Sequence, residues 1–178
     1  MTAVALILKA AAFAAHKHKD HRRKDANATP YINHPLAVAL ALCEKGGVED
    51  PAILAAGLLH DTIEDTETTY EELRGQFGAR IAGLVVEVTD TKFLGKKTRK
   101  RLQVSRARRA SAAAQQIKLA DKLCNLRDIL ASPPADWTEA RKRAYFDWAK
   151  QVVDRVRGAN PGLERRFDGV YGEGARTH

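Results

Sequence analysis

Apolar residues recur along the chain at spacings of three and four, and no useful stretch alternates apolar with polar. The pattern predicts helices throughout and an all-α fold of about eight to ten of them. Thr2–Ala15 reads as a packed first helix with Ile7, Ala11, Ala14 and Ala15 on one face. It has no positive leading region and Lys9 interrupts it, so it is not read as a signal peptide. Pro35 stands at an expected N1, followed by Leu36, Val38, Leu40 and Leu42 until Gly46-Gly47. Asp50-Pro51 supplies an N-cap and N1 for a helix through Ile53, Leu54, Leu58 and Leu59. Thr69 and Glu72 are spaced as a capping box. Ile81, Leu84, Val85 and Val88 mark a helix over 79–89, and Ile117, Ala120, Leu123, Leu126 and Leu130 one over 115–131. A second box, Asp136 and Glu139, precedes a helix carrying Tyr145, Trp148, Val152 and Val156. Ser132-Pro133-Pro134 reads as a kinked connection, Asn160-Pro161 opens a short last helix, and the residues from about Gly169 are expected to fray.

With 178 residues, one domain spanning 1–178 is expected. No uncharged stretch is long enough to span a membrane, and internal repeats and glycine-rich phosphate loops are absent. Two cysteines, Cys43 and Cys124, suggest a reducing compartment and a cytoplasmic location. The net charge of +8 is concentrated. Residues 92–109 hold nine basic side chains and no acidic one, leaving −1 on the other 160 residues. The chain is thus a near-neutral body with one anion-attracting feature, not a cationic coat.

The polar residues that break the apolar pattern carry the chemistry. In Leu58-Leu59-His60-Asp61-Thr62-Ile63-Glu64-Asp65, four ionisable groups gather at the end of an apolar helix. Their burial needs a partner, and a metal ion suits imidazole and carboxylate together. His34 precedes Pro35, and Asp121 lies inside an apolar helix with Asn125 one turn on. Two His and two Asp could therefore converge, a mixed set that suits Mn2+, Fe2+ or Zn2+. Each also has a plain structural role open to it: His34 as a cap, Asp121 paired with Lys118 or Lys122, Glu64-Asp65 as a solvated helix end.

The strings RRKDANATPYINHP, LLHDTIED and KLADKLCNLRDIL, in that order, resemble the HD-domain hydrolases of the alarmone (p)ppGpp, above all the small single-domain ones. The likeness extends over nearly the whole chain and leaves no room for a synthetase domain. It implies Mn2+ held by His34, His60, Asp61 and Asp121, with Glu64 and Asp65 acting on the attacking water. Arg23 and Lys24 match a pair that contacts base and phosphates, and Asn125 a position near the nucleoside. Tyr31, Lys97, Trp137, Arg141 and Tyr145 resemble substrate-side residues. Cys124 and Asp128 depart from the residues often found at their positions. The implied partner is a small nucleotide, with cations needed at both ends: Arg23-Lys24 on one side and Lys96-Lys97 on the other.

Two rivals remain at this point. One is a phosphatase of the same fold acting on another nucleotide such as NADPH. The other is a nucleic-acid-binding module built on 92–109, disfavoured because Phe93 is the only aromatic there. No membrane partner is implied, and an oligomeric state is not readable. His16, His18 and His21 stand among Lys17, Lys19 and Arg22, which would repel a cation, and read as the solvated end of the first helix.

Overall fold

The computed structural model describes residues 1–177. Among them are ten helices and only two isolated bridges, Arg22 with Pro30 and Asp25 with Pro134. The helices are α1 (Ala3–Lys17), α2 (Asn33–Glu44), α3 (Pro51–Leu59), α4 (Thr62–Asp65), α5 (Tyr70–Phe77), α6 (Ala79–Val88), α7 (Lys96–Ala107), α8 (Ala112–Ala131), α9 (Glu139–Asp154) and α10 (Pro161–Thr177). Asp50 caps α3 by accepting from Ala52 N, with Pro51 in its first turn. Every residue from Ala52 to Leu59 is buried, so α3 is apolar all round and forms the axis of the core. Helices α1, α2, α6 and α8 pack against it, and α9 and α10 close over α8.

The structure corrects several boundaries. α2 begins at Asn33, placing Pro35 third in the helix, where the missing N–H costs no intrahelical bond. His34 therefore lies inside the first turn. Thr69 caps α5, but Glu72 reaches Lys17 at 3.0 Å, so the box closes on one side only. α9 is capped by Thr138, while Asp136 pairs with Arg141. The last helix is long: Leu163 and Phe167 are fully buried, and Tyr171 donates to Asp147. The expected fraying from Gly169 is thus overturned, since this helix keeps apolar partners on α8 and α9. No described helix is long and apolar enough to cross a membrane.

Candidate metal centre and its flanking clefts

α3 ends at Leu59, and the turn His60-Asp61 joins it to the single-turn α4. Thr62 Oγ1 donates to Leu59 O at 2.7 Å and fixes this break. The break, not a continuous helix, sets His60 and Asp61 apart from Glu64 and Asp65. His34 comes from the first turn of α2 and Asp121 from the middle of α8. Ligand atoms of His34, His60 and Asp121 all lie within 4.8 Å of one another. Asp61 Oδ2 stands 2.9 Å from His60 Nε2 and 3.8 Å from His34 Nε2.

The donor set fits a divalent ion. His60 Nδ1 lies 2.8 Å from Gly57 O, which can only accept, so the proton sits on Nδ1 and Nε2 offers its lone pair. That Nε2 is buried, makes no aligned hydrogen bond among the described residues, and faces Asp61 Oδ2 at 2.9 Å and Asp121 Oδ1 at 3.8 Å. A neutral imidazole nitrogen that meets carboxylate oxygens this closely suits a cation between them. Neighbours orient the carboxylates: Tyr31 OH donates to Asp61 Oδ2 at 2.6 Å, Asn125 Nδ2 to Asp121 Oδ1 at 2.6 Å, and Lys122 Nζ to Asp121 Oδ2 at 2.7 Å.

A cavity of about 240 Å3 opens over this cluster. Lys96, Arg99, Lys100 and Gln103 of α7 face Lys118, Asp121, Lys122 and Asn125 of α8 across it. Glu64 is held there by Arg99 at 2.8 Å and by the backbone N of Asp90 at 3.2 Å. Burial, then the neighbouring Asp90, raise the Glu64 pKa; burial, then Asp61, raise that of Asp65. A larger cleft of about 650 Å3 adjoins, lined by Arg22, Arg23, Lys24, Trp137 and Ile129 among others, and shares Tyr31, Asp65, Asn125 and Tyr145 with the first. In it Arg23 is held by Asp128 at 2.6 Å and Asn125 at 3.2 Å, 5.7 Å from the centre of the Tyr31 ring.

A family model described as HD domain matches residues 10–147. The chain belongs to the HD-domain family. Guanosine-3′,5′-bis(diphosphate) 3′-pyrophosphohydrolase MESH1 of Xenopus tropicalis is 53% identical over 167 residues, covering 94% of this chain and 93% of that one. The protein of the same name from Homo sapiens is 50% identical, over the same shares of the two chains. A solved structure described as a metazoan ortholog of SpoT that hydrolyzes ppGpp and plays a role in starvation responses superposes with a TM-score of 0.92. It is 45% identical and matched over 95% of each chain.

In this HD-domain protein the residues singled out from sequence fall into three groups. His34, His60 and Asp121 bring ligand atoms within 4.8 Å of one another, with Asp61 Oδ2 beside both imidazoles, and Glu64, Asp65, Lys96, Asn125, Tyr31 and Tyr145 line the cavity above them. Arg23, Lys24 and Trp137 line the larger cleft, with Arg141 behind Trp137, 4.6 Å from its ring centre. Lys97 lines neither cavity and is exposed. On a helix it is turned away from Lys96, and Arg99 and Lys100 take the place expected of it. His18 is a second correction: it is buried, its ring centre 4.8 Å from that of Tyr31 and its Nδ1 3.1 Å from His21 Nδ1. Burial lowers its pKa to about 4, and the ring supports Tyr31 from beneath as an uncharged surface.

Sequence reasoning missed Arg99, Lys100, Gln103, Lys118, Lys122, Asp90 and Trp148 as cavity residues. The signal for the helical ones was present. Lys96, Arg99, Lys100 and Gln103, like Lys118, Asp121, Lys122 and Asn125, are spaced 0, 3, 4, 7 and share one helix face. Trp148 joins the two stripes: its Nε1 donates to Lys100 O at 3.1 Å, and Lys100 and Lys122 lie 4.5 and 4.6 Å from its ring centre.

Proposed function

We propose that this protein hydrolyses the 3′-diphosphate of guanosine 3′,5′-bis(diphosphate), ppGpp, or of pppGpp, releasing pyrophosphate and GDP or GTP, with Mn2+ as its ion. The observation that carries the reading is the convergence of two imidazoles and Asp121, with Asp61 beside both rings, next to a cavity walled by five cations, Lys96, Arg99, Lys100, Lys118 and Lys122. The full-length likeness to pyrophosphohydrolases of that substrate supports it. The turning of the inner α7 face into this cavity argues against a nucleic-acid role for the basic stretch.

His34, His60, Asp61 and Asp121 would hold the ion, which when bound supplies Lewis-acid chemistry at the phosphoryl oxygens and lowers the pKa of water. Glu64 and Asp65, one helical turn on, orient the attacking water and take its proton. Their raised pKa values bring them nearer to neutrality than ordinary carboxylates. Lysines and Arg99 offset the charge on the leaving diphosphate. Arg23, Lys24, Tyr31 and Trp137 offer cations and aromatic faces to the nucleoside and its 5′-phosphates in the larger cleft.

The whole of 1–178 is read as one domain, supported by a single apolar cluster drawing on helices from α1 to α10. Two unpaired cysteines, Cys43 exposed and Cys124 buried, are in keeping with a cytoplasmic location.

The test is pyrophosphate release from ppGpp, with and without Mn2+, in the wild type and in His60→Ala and Asp61→Asn. Mn2+-dependent release lost in both variants is expected. Release that ignores the ion or survives both substitutions would overturn the reading, and a higher kcat/KM on NADPH would reassign the substrate.

A further inference from the structure

The reactive cavity has a second neighbour. A cleft of about 380 Å3 lies beside α7, lined by Val86, Glu87, Thr89, Arg106, Arg109 and others, and meets the cavity at Asp90, Arg99, Gln103 and Lys118. The larger nucleoside-sized cleft meets it at Tyr31, Asp65, Asn125 and Tyr145, with no residue in common between the two junctions. The cavity thus shares a wall with each of two clefts of different character; on the side of α7 that wall is held by Arg99 with Glu64 and Gln103 with Asp90. One offers aromatic faces; the other offers none and is lined by four basic side chains against two acidic ones.

Both acids there are engaged. Glu87 accepts from Ser111 Oγ at 2.5 Å and from its backbone N, and Asp90 accepts from Gln103 at 2.5 Å. Arg106 and Arg109 have exposed guanidinium forks, whose geometry matches phosphate oxygens. Arg99 and Lys118 line both spaces, so a polyanion passing from one to the other stays in contact with cations. Burial lowers the pKa of Lys118, and an entering anion would restore the charge it disfavours.

We propose that this cleft is a binding site for inorganic diphosphate, through which the pyrophosphate product leaves while the nucleotide product occupies the other opening. The assignment of the product rests on the function proposed above; the anion site does not. It also divides the basic stretch. Arg106 and Arg109 belong to the site, whereas Arg101 and Arg108 are exposed and line neither space.

Calorimetric titration of sodium pyrophosphate into chelator-treated full-length protein tests this. R106E/R109E is compared with the charge-matched R101E/R108E, all four positions being away from the core. The first variant should bind about tenfold more weakly or lose one class of sites, and the second should stay within about twofold of wild type. Equal weakening in both reduces the effect to overall charge, and no weakening in either removes it; each result overturns the proposal. The readout needs no turnover. Selective loss in a protein inactive on ppGpp would refute the substrate and leave the anion site standing. In an active protein, the inhibition constant of added pyrophosphate should rise about tenfold in R106E/R109E alone.

Discussion

Lys122 donates to Asp121 Oδ2 at 2.7 Å, with only 6% and 16% of the two side chains exposed. Burial disfavours its charge, but Asp121 holds the Lys122 pKa above its ordinary value. The ammonium thus serves as the standing counter-charge of a candidate metal ligand. Lys122→Met removes it and leaves Asn125 as the remaining donor to a buried carboxylate, a change that costs up to about 3 kcal/mol. A bound divalent ion would take over part of that duty. Thermal melts should therefore show a larger loss of Tm in chelator than in saturating Mn2+; equal losses would detach Lys122 from the ion site.

Trp148 ties α9 to α7 through one hydrogen bond and one cation contact, and to α8 through a second cation contact. Trp148→Phe keeps a ring and deletes the bond to Lys100 O, worth about 1 kcal/mol. Steady-state kinetics on ppGpp should give a KM raised roughly fivefold with kcat nearly unchanged, because the bond positions cations and touches no reacting atom. A fall in kcat with KM unchanged would contradict this.

The Asp90 carboxylate, after burial, raises the Glu64 pKa. Asp90→Asn removes the charge but keeps the backbone N–H that Glu64 accepts. Glu64 must be ionised to take a proton, so activity falls as pH drops through its pKa. Removing a neighbouring negative charge favours the ionised form and lowers that pKa. The acid limb of the kcat/KM profile should move to lower pH; a shift upward would exclude Glu64 as the titrating base.

A Cβ built on Gly174 would stand 2.0 Å from Phe146 Cε1. Gly174→Ala should destabilise the protein by about 1–3 kcal/mol through overpacking. Denaturant unfolding measures it, and a neutral result would mean that the end of α10 adds nothing to stability.

The helices were legible because they rest on local rules, and the polar residues of the candidate site stood out by interrupting them. Periodicity marked α3 and α8, and His and Asp interrupting them could not be buried without a partner. The start of α2 was displaced because Pro is tolerated anywhere in a first turn. The last helix was underestimated because its glycines suggest fraying, whereas Gly174 is the point where Phe146 packs. Contacts between distant segments left no mark: Glu64 with Arg99, Arg23 with Asp128, and His18 beneath Tyr31. The stripes on α7 and α8 were readable in spacing, but only the fold turns them toward each other.

α7 has a single buried residue, Ala107, and its main helix neighbour is α9. The segment that furnishes much of the cavity's cationic wall thus contributes little to the core. Substitutions on it are largely uncoupled from folding, so ligand preference can drift there at small cost in stability. The imidazoles and carboxylates, fixed to α2, α3 and α8, have no such freedom. The protein thereby separates a rigid reactive centre from an adaptable reading surface, and divergence between related hydrolases in what they accept is expected to concentrate on α7.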